Sequence, residues 1–434
     1  MEQYPEFRFS QSQVAVYEAT QRHRPDLFER IQARVKEGRW DVTANTWVEG
    51  DLNMAAGESL VRQILHSRRY LAEHFGVAPR ICWEPDTFGH SANYPQILRK
   101  SGIEFYYFCR AGKQEPLFWW EGIDGSRLLA VQDPRGYNGT VNPREVAECV
   151  MDFGGRYGIR RGLHLYGVGD HGGGATARDI EAARLIDRTP FLPHAQPSTT
   201  VDFYRQALAE AEDLPVVKGE LNTVFEGCYT SHADIKRANR QGENALLTAE
   251  TTATLATLLA GAPYHADELA EAWRTVCFHQ FHDILCGCAI GVTYREAHER
   301  LAHVMATANN NQQRALAALA AATDTGVGEG RCLVVFNPLA WERTDVVRVS
   351  LANLGGIVPS IMVDDEGRHL PVQQVGEDIL FVAREVPSLG VRVYRPVLQR
   401  LTPNDADAIQ VNYEQNGLQN RFLGLRVHPA SGAL

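Results

Sequence analysis

Apolar residues recur at helical spacing through the first part of the chain. Between Pro25 and Val35 they fall at Leu27, Phe28, Ile31 and Val35, one face of a helix. Trp40–Val48 reads as a strand, and Glu58–Phe75 as a second helix carrying Leu60, Ile64, Leu65 and Leu71. Pro95–Lys100 is helical, and Phe105–Phe108 and Leu128–Val131 are short apolar strands. This alternation predicts a mainly parallel sheet with helices on both faces. The pattern then changes. Ala, Leu, Glu and Gln dominate three long helical stretches, Ser231–Ala260, Asp267–Phe281 and Thr293–Ala321. Gly261-Ala262-Pro263 and Gly287–Gly291 separate them, so they are expected to form an antiparallel three-helix bundle, with Ser231 and Asp267 as caps. After Gly326–Gly330 the runs become strand-like at Leu333–Phe336, Val346–Val349, Ile379–Val382 and Val391–Tyr394, the start of a β-rich domain.

Three stretches carry candidate chemistry. Cys82-Trp83-Glu84-Pro85-Asp86-Thr87-Phe88-Gly89-His90-Ser91 reads as a strand running into a loop, with Asp86 at the rim of the sheet. Carboxyl ends of strands are where α/β folds place reactive groups. A Pro-Asp turn with a capping Asp is the plainer reading, but the neighbouring aromatics and histidine suit a sugar site. Phe278-His279-Gln280-Phe281-His282-Asp283 adds an imidazole beside a carboxylate. His282 and Asp86 together suggest a mixed nitrogen and oxygen site suited to zinc. Tyr166-Gly167-Val168-Gly169-Asp170-His171-Gly172-Gly173-Gly174 presents Asp170 in a glycine loop. No Lys-Ser/Thr follows, so it is not a phosphate-binding P-loop; the glycines let the backbone approach a ligand. An Asx turn is the structural alternative for Asp170. A helix-terminal position is the alternative for His282, and His279 is assigned that structural role.

These stretches, with Trp47–Asn53, Gly57–Gln63 and Gly227–Ser231 followed by Lys236, Asn239 and Arg240, occur in an order that resembles the family 38 glycoside hydrolases. These are zinc-dependent retaining α-mannosidases, and the similarity runs over nearly the whole chain. The resemblance implies a multidomain protein: an irregular α/β barrel-like catalytic domain over 1–220, a three-helix bundle completing the active site over 221–325, and a β-sandwich-type domain beginning in 326–434. It implies that Asp86 is both nucleophile and zinc ligand, and that His282 is a second zinc ligand. Asp170 becomes the acid/base, with His171 competing for that role. Phe88 becomes an aromatic wall of the sugar site and Asp283 a partner for sugar hydroxyls. His90 is expected behind the loop, and most of Trp47, Trp83, Trp119 and Trp120 in the core. The family's opening His-x-Asp-x-Gly/Ala-Trp segment, a source of two further zinc ligands, has no counterpart here. His232-Ala233-Asp234 and His265-Ala266-Asp267 share its spacing, but residues two apart on a helix point roughly 200° from each other. The chain is therefore expected to be truncated at the front, catalytically incomplete and weak in zinc binding, and cut again within the β-rich domain. Gly50 stands where the family favours Pro, and Cys286 and Cys288 where Pro and Ser or Thr are usual.

Composition narrows the partners. At 434 residues two or three domains are expected, and 44% hydrophobic with 22% charged residues is the balance of a soluble globular protein. A net charge of −10 argues against nucleic acid, and no apolar run reaches membrane-spanning length. The eight cysteines contain no CxxC and read as reduced thiols in a cytoplasmic protein. The expected ligand is a terminal α-mannoside, on a glycan or a small molecule, and a homo-oligomer is left open. Two alternatives compete. A zinc-dependent deacetylase would need two closely spaced histidines in the barrel half, where none is found. A carbohydrate-binding protein without catalysis would have little reason to keep both Asp86 and Asp170.

Overall fold

Phe105–Phe108 is apolar at every position, a pattern that suits a strand covered on both faces, and all of it is buried in the computed structural model. The structure describes the chain apart from residues 113–114, 134, 170–172, 223, 327–329, 399–408 and 421. It forms two compact units, Met1–Leu247 with His265–Asn310, and Thr248–Tyr264 with Asn311–Leu434.

The first unit begins with β1 (Phe9–Gln11), α1 (Val14–His23), α2 (Pro25–Lys36), β2 (Trp40–Val42) and α3 (Gly57–His74). It continues through β3 (Ile81–Glu84), α4 (Tyr94–Lys100), β4 (Phe105–Phe108), β5 (Leu117–Glu121) and β6 (Arg127–Gln132). Then come α5 (Pro143–Tyr157), α6 (Ala177–Arg188), α7 (Thr200–Glu210) and β7 (Val216–Lys218). α8 (Ala233–Ala260) starts in this unit, followed by α9 (Ala266–His279), α10 (His282–Leu285) and the first part of α11 (Gly291–Ala322).

Among the described residues a five-stranded sheet runs in the order β3-β4-β6-β5-β7, with β3, β4 and β6 parallel. Side chains alternate across it. Ile81, Phe105, Tyr107, Leu117, Leu129 and Val131 pack on Phe153 and Tyr157 of α5 and Phe203 and Tyr204 of α7. Cys82, Tyr106, Phe108, Phe118, Trp120 and Leu128 pack on Leu60 and Ile64 of α3 and Leu98 of α4. Helices thus cover both faces, as the alternation predicts. The sheet is less parallel than expected, because β5 runs antiparallel to β6. Gly122-Ile123-Asp124-Gly125-Ser126 joins them as a tight hairpin in which Gly122 N donates to Ser126 O (2.9 Å) and Gly125 takes a φ of +82°.

The strand expected over Trp40–Val48 stops at Val42. Asn45 turns its side-chain amide onto the carbonyls of Pro79 and Ile81, and Gln63 takes the amide of Val48 on its side chain (3.1 Å) and that of Trp47 on its carbonyl (3.1 Å). Those bonds replace a ladder, so Thr43–Gly50 is buried but irregular. The two expected caps also differ. His265 occupies the N-cap of α9 with Asp267 in its first turn, and Ser231 Oγ bonds Gly227 O (3.3 Å).

In the second unit the ends of α8 and α11 meet through Ala253, Ala256, Ala315 and Leu319. β8 (Leu333–Phe336), β9 (Arg343–Ser350), β10 (Ile361–Asp364), β11 (His369–Val375), β12 (Asp378–Val386) and β13 (Val391–Val397) form a sheet in the order β8-β13-β10-β11-β12-β9. Its core includes Leu354, Met362, Phe381 and Tyr394. β14 (Gln410–Asn412), β15 (Gly417–Gln419) and β16 (Gly424–Arg426) make a separate antiparallel sheet.

Candidate active site

Parallel register decides where the first reactive group meets its neighbour. Glu84 at the end of β3 pairs with Phe108 at the end of β4, so Asp86 and Arg110, each two residues further on, emerge side by side. Their side chains form an ion pair. Arg110 is in turn held by His90, whose Nε2 lies 3.3 Å from the Arg110 carbonyl and whose Nδ1 lies 2.7 Å from the Tyr106 hydroxyl. Burial depresses the His90 pKa to about 3, so this imidazole is a neutral bridge inside the sheet.

His282 reaches the same point from the far end of the chain. An antiparallel bridge joins Gly50 to Phe281, and Asp51 N donates to Gln280 O (2.8 Å). His282 N and Nδ1 both bond the Glu49 carbonyl, at 3.2 and 2.8 Å. The ring is thereby fixed with Nε2 3.4 Å from Asp86 Oδ2. The Glu49 side chain completes the arrangement, its Oε1 accepting from Asp86 N (2.5 Å) and Thr87 N (3.0 Å). A buried polar lattice supports the bridge from behind. Gln63 donates to Cys277 O (2.8 Å), Gln280 donates to Asn239 and Glu243 (both 3.0 Å), and Ser59 donates to Glu243 (2.7 Å). Ser59, Gln63 and Asn239 of the sequence motifs therefore act by placing the His282 segment.

The electrostatics follow from this packing. Burial works against ionising Asp86, but the hydrogen bonds from His282 and Arg110 outweigh it and hold the carboxyl below its usual range. Burial likewise disfavours a charged His282. The Asp86 bond and the charges of Glu49 and Asp283 prevail and raise it to about 9. Glu49 rises to about 7, chiefly through burial. An ionised carboxylate facing a sheet mouth beside aromatic rings can attack an electrophilic carbon of a ring-shaped substrate.

Phe88 lies at this mouth, its ring centroid 5.4 Å from His282 and 5.0 Å from Phe225, with Arg110 over both aromatics. Asp283 is partly buried and accepts from Cys288 Sγ at 3.1 Å. Asp86, His282 and Phe88 are thus gathered in one place, and Asp283 acts on His282 through its charge while its carboxylate bonds Cys288; Asp170 and His171 lie outside the described residues. The tryptophans serve the core: Trp83 stacks on Tyr107 at 3.7 Å, and Trp47 and Trp120 are buried. His279 is a core residue bonding Thr275 O (2.7 Å). Arg110 and the double role of Glu49 were not singled out from sequence. The available signal for Arg110 was its place just past an apolar strand, the same place that marks Asp86.

Comparison with known proteins gives the setting. The glycosyl hydrolases family 38 N-terminal domain matches residues 1–220, and the alpha mannosidase middle domain matches residues 223–319. Alpha-mannosidase G of Dictyostelium discoideum is 36% identical over 68% of this chain and 28% of its own length. Human alpha-mannosidase 2C1 is 33% identical over 80% of this chain and 34% of its own length. The chain thus spans about a third of these relatives. The crystal structure of an alpha-mannosidase from Enterococcus faecalis superposes on 98% of the chain and 55% of that protein, with a TM-score of 0.80 at 21% identity, a likeness of fold. Since the N-terminal domain match alone takes in half of the sequence and continues directly into the middle domain, the chain belongs to glycosyl hydrolase family 38.

Proposed function

We propose that this chain carries the nucleophile side of a retaining α-mannosidase active site, with Asp86 as nucleophile, Asp170 as acid/base, Phe88 against the sugar ring and Asp283 on a sugar hydroxyl. The observation that carries this reading is the ionised Asp86 carboxylate held at the strand ends against His282 Nε2 at 3.4 Å. In the first step Asp86 attacks the anomeric carbon while Asp170 gives its proton to the departing oxygen, leaving a β-linked glycosyl ester. In the second, Asp170 takes a proton from water, which attacks the same carbon and frees Asp86. Two inversions give net retention.

Zinc fits this chemistry in part. Asp86 and His282 would be its donors, and the Nδ1 bond to Glu49 O turns Nε2 towards the shared point, as a metal-binding histidine requires. When bound, zinc would supply Lewis-acid charge beside the nucleophile and to adjacent sugar hydroxyls. Among the described residues no group of three His, Cys, Asp or Glu is placed to hold a metal, and zinc sites use three or four ligands. The same reading divides the chain into a catalytic domain over 1–220, a helical bundle over 221–325 and a β-sandwich-type domain over 326–434, in a cytoplasmic enzyme. Among the described residues no helix is long and apolar enough to cross a membrane.

The test uses a polypeptide extended to the length of the relatives. NMR of the first-formed sugar from an aryl α-mannoside should show α-mannose, and the matching α-glucoside should be cleaved poorly. Asp86→Asn should abolish activity and weaken zinc binding together, whereas Asp170→Asn should lower activity and leave zinc in place. A β-mannose first product would overturn the assignment of Asp86.

A further inference from the structure

Two thiols face each other beside this site. Cys228 lies in the short turn Glu226–Tyr229 that leads into α8, and Cys286 lies directly after α10. Cys228 is half-buried, Cys286 is buried, and they are close enough for each thiol to perturb the ionisation of the other. Contacts independent of the sulfurs hold the two segments together. Lys236 Nζ donates to the carbonyl of Ser231 and to that of Leu285 (2.8 Å). Gly287 has a φ of +89°, and a Cβ there would fall 2.7 Å from Ser231 Cβ, so the backbones meet without room for a side chain. Cys286 Sγ also donates to Asp51 Oδ2 at 3.2 Å, on the segment that positions His282.

We propose that Cys228 and Cys286 close into a reversible disulfide that ties the aromatic segment at Phe225 to the turn carrying His282. Phe225 packs against Phe88 and under Arg110, and Cys286 N bonds His282 O (3.1 Å), so the tie joins two walls of one site. With glutathione disulfide as oxidant, the Cys228 thiolate attacks one glutathione sulfur, forms a mixed disulfide and releases one glutathione. Cys286, losing its proton, then attacks the Cys228 sulfur and releases the second. Two protein thiols are oxidised, one glutathione disulfide is reduced to two thiols, and the protons leave with them. Burial raises both thiols above the ordinary value and Asp51 adds to the effect, so the exchange is slow at neutral pH. The tie does not depend on whether the site hydrolyses mannosides.

The test maps the bond directly. The chain is incubated with glutathione disulfide under native conditions, its remaining thiols are alkylated, and a non-reduced digest is read by mass spectrometry. The expected product is a Cys228–Cys286 linked peptide pair that disappears on adding dithiothreitol, together with a raised melting temperature. Cys228→Ser should abolish the pair and leave Cys286 alkylated once unfolded. Three results would each overturn the proposal: linkage of either cysteine to the exposed Cys288 instead, glutathionylation without a crosslink, or a Cys228–Cys286 bond that forms only in urea.

Discussion

Glu49 offers the sharpest test of how the site is held. Its Oε1 accepts the amides of Asp86 and Thr87, while the residue itself is only 4% exposed. Glu49→Ala leaves both amides without that acceptor. The Thr87 residue is fully buried and Asp86 partly so, and each orphaned amide costs roughly 1–3 kcal/mol according to its burial. Against this, the variant is relieved of a buried carboxyl that its surroundings resist ionising. If the hydrogen bonds dominate, Glu49→Ala should lose about 2–4 kcal/mol, a large part of the 5–15 kcal/mol that holds a domain of ordinary stability. Glu49→Gln keeps an amide oxygen in place and should lose about 1 kcal/mol. Urea titration followed by tryptophan fluorescence suits the measurement, because every tryptophan except Trp341 lies in the same unit as Glu49. An alanine variant as stable as the parent, or one no weaker than Glu49→Gln, would refute the reasoning and show that the carboxyl's burial cost outweighs its bonds.

Gly89→Ala should destabilise the same unit by about 1–3 kcal/mol, because the added methyl would lie 2.3 Å from Asn222 Oδ1, 2.4 Å from Asn53 Nδ2 and 2.6 Å from the Tyr229 hydroxyl. An unchanged melting temperature would show that those polar groups yield freely. In the second unit, burial opposes ionising Asp364. Arg368 Nε at 2.6 Å and the amides of Glu366 and Arg368 overcome this and hold its carboxyl below the usual value. Its contribution is therefore complete above the unfolded pKa of about 4 and is lost as pH falls through the lower folded value. Melting curves from neutral to acid pH should flatten for Asp364→Asn, and parallel curves would remove Asp364 from that role. Finally, metal analysis of the chain after dialysis should find well under one zinc per molecule, since two described donors fall short of a zinc site. A full equivalent that survives dialysis would reveal donors outside the pair Asp86 and His282.

What the sequence displays depends on how far apart the interacting groups lie. The helices α2, α3, α9 and α11 were legible within a few residues because apolar spacing along a helix is a local property, and β4 because both of its faces are buried. The hairpin of β5 and β6 carries a local Asp-Gly signal at 124–125, but the apolar runs on either side of it do not show which way β5 runs. Arg110 and Glu49 are different. The position of Arg110 just past an apolar strand is visible in sequence, but its pairing with Asp86 exists only once β3 and β4 are in parallel register. Glu49 joins residues far on either side of it, taking Asp86 and Thr87 on its side chain and His282 on its backbone carbonyl. A backbone carbonyl has no residue identity to read. Motif reasoning could therefore single out Asp86, Phe88 and His282, which the fold brings together, while the groups that hold them became visible only with the long-range register that the fold imposes.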